Sequence, residues 1–147
     1  KRDNRRITVV INGTNSSRLR LNEASNLINW AFSQTSQKQL VDEGQIITEV
    51  DVWLGDKPRV NLISSKKIIS TLSFDQIQLI ESSIEYKRPI AAPIKQDEIY
   101  GKLIINIEGK PNIEVDLVAQ ENVGNINPIL KVFAAMKYLI FGTSLDE

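Results

Sequence analysis

The sequence predicts a mostly β chain: an antiparallel β-sandwich-like domain, preceded by a strand-helix piece and followed by an amphipathic helix. Three observations predict it. Between residues 37 and 122, short alternating runs recur with turn residues between them. Before them stands one helical pattern behind one β-branched run. After them, Ile126 to Phe141 (INPILKVFAAMKYLIF) places apolar residues at spacings of three and four.

Arg6 to Asn12 (RITVVIN) is β-branched and predicts a strand, closed by the turn cluster Gly13-Thr14-Asn15-Ser16-Ser17. Leu21, Ala24, Leu27, Ile28, Ala31 and Phe32 then share one helical face, predicting a helix from about Arg20 to Gln34. One strand and one helix do not make a domain. They resemble the end of an α/β layer, and such a piece exposes strand edges and an apolar stripe that something must cover. The candidates are the β domain, a second copy of the chain, or an upstream catalytic domain or chain.

In the next region Ile46, Thr48, Val50, Val52 and Leu54 alternate with Ile47, Glu49, Asp51 and Trp53. Gly55-Asp56-Lys57-Pro58 is a turn signal and Arg59 to Ile63 a second strand, so the pair predicts a hairpin. Ile68 to Ser73 predicts a strand, Phe74 to Ile80 is ambiguous with one helical turn, and Ser83 to Arg88 alternates again. Ile99 to Glu108 and Asn112 to Ala119 flank Gly109-Lys110-Pro111 as a further hairpin. Asn122 to Asn125 reads as a polar linker. The predicted units are therefore 1–36, 37–122 and 123–147.

Pro128 suits the first position of the terminal helix, where its missing N–H has no partner to lose. Sixteen residues do not cross a bilayer, which takes ~20. They are enough to lie in its surface, with Lys131 and Lys137 toward anionic head groups. The face that would enter lipid comprises Ile129, Leu130, Phe133, Met136, Leu139, Ile140 and Phe141, with Lys137 beside it. The same periodicity also suits a helix packed on the body of the chain.

The chain has 147 residues, 41% of them hydrophobic and 24% charged, which is globular rather than disordered composition. Formal net charge is zero, so no basic field points to nucleic acid. Cysteine and histidine are absent, which removes disulfides, thiolate nucleophiles, Cys-based zinc sites and the commonest general base. The first residues, Lys-Arg-Asp-Asn-Arg-Arg, carry no apolar run and give no signal-peptide pattern.

Candidate chemistry is thin. Ser64 and Lys67 form an S-x-x-K, but with strand-like flanks, and that spacing brings two side chains together only on a helix. A polar turn is the plainer account. The carboxylate pairs Asp42/Glu43, Glu49/Asp51 and Asp97/Glu98 read as solvated faces and turns. Trp30 and Trp53 read as hydrophobic anchors, and Lys1, Arg2, Arg5 and Arg6 as a solvated terminus. Nothing here calls for a cofactor or a metal.

The order of elements carries a resemblance. RITVVINGT precedes Arg18 and a helix with Glu23-Ala24 and Leu27-Ile28-Asn29-Trp30-Ala31-Phe32. Then come Val52-Trp53-Leu54-Gly55-Asp56, Ala92-Pro93-Ile94-Lys95 with Gly101 beyond it, Gln120-Glu121-Asn122-Val123, and the terminal helix. This resembles the C-terminal part of the low-molecular-weight penicillin-binding proteins, the serine D-alanyl-D-alanine carboxypeptidases. The resemblance implies that residues 1–35 are the last strand and helix of a β-lactamase-like catalytic domain, that 37–121 are the family's β-rich domain, and that 126–141 are its membrane-surface foot. It implies a metal-free, cofactor-free parent of the bacterial periplasm, peripheral on the outer face of the inner membrane. That parent would act on peptidoglycan, with the membrane surface and other envelope proteins as partners. The family's S-x-x-K, S-x-N and K-T-G motifs lie upstream of the matching stretch, so no residue here corresponds and no catalysis is expected of this chain.

Overall fold

The computed structural model describes residues 5–126. It is mostly β, as the alternating runs predict. Among the described residues, eight strands and one short helix follow one long helix. They are α1 (Ser17–Gln34), β1 (Thr35–Val41), β2 (Ile46–Trp53), β3 (Arg59–Ser64), β4 (Ile68–Ser73), a short α2 (Phe74–Gln78), β5 (Glu81–Tyr86), β6 (Ile90–Ala91), β7 (Ile99–Asn106) and β8 (Ile113–Ala119). The predicted terminal helix, with Ile129, Leu130, Phe133, Met136, Lys137, Leu139, Ile140 and Phe141, lies outside the described residues.

β2 and β3 form the predicted hairpin in antiparallel register, with Val50 opposite Val60. β7 and β8 form the second, with Leu103 opposite Val115. They join in a six-stranded sheet ordered β5-β7-β8-β3-β2-β6, and β1 pairs antiparallel with β4 in a separate two-stranded ribbon. β1 leads into β2 and β3 into β4, so the ribbon continues the β2–β3 hairpin past a corner at 42–45 and 65–67. The ribbon contributes Val41 and Leu72 to one core with Val50, Val60, Leu62, Leu103, Ile105, Val115 and Leu117 of the large sheet. Leu62, Leu72, Val115 and Leu117 are wholly buried. This is the sandwich-like packing expected, with a narrow second layer.

Two features differ from expectation, the run 6–12 and the start of α1. The β-branched run 6–12 forms no strand, although the helix after it does. A strand exists only as part of a ladder, and among the described residues none lies beside this run. α1 begins three residues earlier than its apolar pattern, because the Ser16 side chain accepts a hydrogen bond from the Leu19 N–H at 3.2 Å and caps it. No α1 residue is buried, and Leu21 and Leu27 are 69% and 43% exposed, so the described part of the β domain does not cover its apolar stripe. Arg5 ties the run to the helix end, donating to the Ala31 carbonyl at 3.2 Å and to Thr35, and lying 5.5 Å from the Phe32 ring centre. The ambiguous stretch after β4 is helical, fixed by a capping box between Ser73 and Gln76.

Candidate functional site: a C-terminal latch and an open sheet margin

Ser64 and Lys67 are not brought together. Ser64 ends β3 buried, its hydroxyl donating to the Lys66 carbonyl at 2.8 Å, and Lys67 turns away to Asp42 at 3.6 Å. The Ser64 amide and carbonyl bond Gln45 and Gly44, so this serine shapes the corner of the hairpin. Glu49 and Asp51 both receive Arg59, at 2.9 and 3.1 Å, which holds that guanidinium above its ordinary pKa, first through the Glu49 hydrogen bond. Glu98 pairs with Lys95 at 3.2 Å, and Asp97, at φ 63, sits in the turn that joins them ahead of β7. Among the described residues no group of three acidic ligands is placed to hold a metal. Trp30 and Trp53 are 59% and 47% exposed, so neither is the buried anchor expected.

What the structure does assemble is a latch. Three stretches far apart in sequence, Val52–Asp56, Ala92–Lys95 and Gln120–Val123, converge at one end of the large sheet. β6 pairs parallel with the end of β2, with Ala91 beside Trp53. Val123 is buried and exchanges two hydrogen bonds with Ile94, at 2.8 and 3.0 Å. The Asp56 amide donates to the Gly124 carbonyl at 2.9 Å, and the Gly124 amide donates back to the Asp56 carboxylate at 2.9 Å. The Ile126 amide donates to the Leu54 carbonyl at 2.9 Å, and Lys57 pairs with Glu121. Asn122 to Asn125 is therefore no linker but a strap. Close approach explains the glycines. A Cβ on Gly124 would lie 2.8 Å from an Asp56 carboxylate oxygen, and one on Gly55 would lie 2.8 Å from the Lys57 carbonyl. The turn signal at Gly55 to Pro58 and the polar stretch Asn122 to Asn125 carry no sign of this meeting, since it joins residues as far apart as Asp56 and Gly124.

The second feature is an apolar groove of about 620 Å³ between the ribbon and the β5 side of the sheet. Leu40, Ile46, Ile77, Ile80 and Ile84 line it, with Lys38 as its one charged lining residue. β5 bounds it with all but its last residue exposed. Alternation at 83–88 predicted a strand there, but its position at the margin is set by long-range pairing.

The positions of the chain's two described ends follow from the same topology. α1 hands over at Thr35, which pairs with Ser73. That end of the ribbon is tied to the β7–β8 turn, where Lys110 donates to the Thr71 carbonyl and Gln76 donates to the Glu108 carbonyl at 2.8 Å. The latch lies beyond the other end of β8. The described chain thus arrives and leaves at opposite ends of the sheet, with the seven residues of β8, roughly 24 Å at ~3.4 Å per residue, lying between those ends. Among the described residues no helix is long and apolar enough to cross a membrane.

Comparison with known proteins places this architecture. A family model described as "Penicillin-binding protein 5, C-terminal domain" matches residues 36–125, more than half of the 147-residue chain. The chain is 29% identical to the D-alanyl-D-alanine carboxypeptidase DacC of Escherichia coli K12 over 122 residues, 82% of this chain and 30% of that protein. It is 26% identical to DacF of Bacillus subtilis 168 over 123 residues, 83% of this chain and 32% of that protein. It therefore spans about a third of the length of these relatives. The fold matches penicillin-binding protein 5 from Haemophilus influenzae with a TM-score of 0.61 at 22% identity, covering 75% of this chain and 32% of that one. It also matches the D-alanyl-D-alanine carboxypeptidase DacD from Francisella tularensis with a TM-score of 0.57 at 24% identity, covering 77% and 29%. The buried core of β2, β3, β7 and β8 and the latched strap lie within the matched stretch, and the chain belongs to the family of C-terminal domains of penicillin-binding protein 5-type D-alanyl-D-alanine carboxypeptidases.

Proposed function

We propose that this chain is the non-catalytic C-terminal portion of a carboxypeptidase that trims D-alanine from peptidoglycan stem peptides, and that it holds the catalytic domain off a membrane surface. The observation that carries the reading is the placement of α1 and the latch at opposite ends of one sheet. A spacer needs its two attachments apart and its body stiff. β strands joined by a buried core supply the stiffness, and the strap fixes where residue 126 leaves. α1 is the upstream attachment: its exposed Leu21 and Leu27 seat the catalytic domain, whose strands would pair with residues 6–12. The foot is the segment after residue 126, with Phe133, Met136, Leu139 and Phe141 in lipid and Lys131 and Lys137 at the head groups. Location in the bacterial periplasm, peripheral on the inner membrane, belongs to the same proposal.

Flotation with vesicles containing about one-quarter phosphatidylglycerol tests the foot. The full chain floats, and deletion of residues 127–147 abolishes flotation while leaving the β-domain melting transition in place. Flotation that survives the deletion overturns the foot. For the upstream half, the gene product is detected in cell envelopes with an antibody to this segment. A band much heavier than 16.6 kDa is expected, large enough for a catalytic domain. A band at 16.6 kDa overturns the spacer reading.

A further inference from the structure

β5 pairs with β7 on one side, and among the described residues nothing pairs with its other side. A strand in that position displays a row of free amide and carbonyl groups, a ready template for another strand. Its register alternates the faces. Ser82 and Ile84 stand opposite Ile105 and Leu103 toward the core side and line the groove. Glu81, Ser83 and Glu85 point to the outer face, opposite Asn106, Ile104 and Lys102. Lys102 pairs with Glu114 at 2.8 Å and feels the charge of Glu85 opposite it only at longer range, and no described cation lies within ion-pair distance of Glu81 or Glu85.

These features select an occupant. A second copy pairing antiparallel about Ser83 would set Glu81 against Glu85 twice, and like charges directly opposite are destabilising. A strand with cations at two positions four residues apart meets the two carboxylates instead. Its intervening apolar residues fall over Ile84, Ile80 and Ile77 in the groove. Lys38 in the groove repels a cation on that inward face, so the charges fix which side of the strand faces out.

We propose that the β5 margin and the adjoining groove take up an extended segment of a partner protein, with basic residues at i and i+4 facing out and apolar residues at i+1 and i+3 facing in. Main-chain hydrogen bonds to β5 supply affinity, and the glutamates and groove supply selection. The site lies on the margin opposite β6 and does not depend on the spacer reading.

The test uses the full chain and a labelled peptide, acetyl-Lys-Val-Thr-Val-Lys-Val-amide, read by fluorescence anisotropy and by backbone amide shifts. Saturable binding is expected, with shifts confined to β5 and the groove. A Glu81→Gln/Glu85→Gln variant, altered only at exposed positions, binds roughly three- to tenfold more weakly. The peptide with both lysines replaced by glutamate does not bind. Absence of saturable binding, equal binding of the two peptides, or shifts located elsewhere overturns the proposal.

Discussion

Lys102, whose register partner on β8 is Asp116, reaches diagonally to Glu114 at 2.8 Å on the outer face of the sheet. The hydrogen bond and then the charge of Lys102 hold the Glu114 carboxyl below its ordinary value, and the same contact raises the Lys102 amine. A lowered carboxylate contributes stability above its unfolded value and loses it as pH falls through the folded one. The melting difference between the natural chain and Glu114→Gln is therefore expected at neutral pH, and it shrinks as pH falls below the ordinary Glu value and is lost once pH is below the lowered folded one. Added salt shrinks it as well, because both groups are exposed. Buried positions behave differently. Leu62→Ala leaves a void under three strands and costs roughly 2–5 kcal/mol in denaturant unfolding. Gly101 gives way to neither alanine nor valine, because its absent Cβ lets the Glu85 carbonyl approach to 2.8 Å of that site. Gly101→Ala costs about 1–3 kcal/mol by the same measurement and loosens β5 from β7.

At the scale of elements, α1 stands out as a helix of 18 residues with none of them buried. Most helical stability in proteins comes from packing an apolar face. Its amides are therefore expected to exchange with solvent far faster than those of β8, and docking of an upstream domain is expected to slow them. Equal protection of α1 and β8 in the isolated chain would contradict this picture. The elements that could be read from the sequence are those whose pattern is local. β2 and β3 alternate cleanly around Gly55 to Pro58, and β7 and β8 do so around Gly109 to Pro111. β1 (TSQKQLV) carries no strand pattern because its polar residues sit on a ribbon with much of its surface open, so only Val41 is buried. β6 has two residues, too few for any period. Residues 6–12 carry the opposite error: their β-branched composition suits a strand, but strand formation depends on a neighbour that composition does not report.

For the whole molecule, the chemistry-bearing patterns in the sequence dissolve and the long-range ones matter. Ser64 and Lys67 part company, whereas Val52–Asp56, Ala92–Lys95 and Gln120–Val123 come together. Their order in the sequence carried the family resemblance, but only the fold shows that they build one junction. Asp56→Ala removes an acceptor from the Gly124 amide and is expected to cost about 1 kcal/mol and to raise exchange selectively at residues 121–126. Uniformly raised exchange would show that the strap is not a separate unit. The opposite placement of Thr35 and Ile126 has a mechanical consequence. A pull applied between them runs roughly along the strands, while antiparallel ladder bonds lie across the strands. Such a load shears several β3–β8 and β2–β3 bonds at once rather than peeling them singly. The body would then transmit tension between Thr35 and Ile126 as a tether that yields last in its middle, with the latch, joined by a few bonds, as the part that gives first.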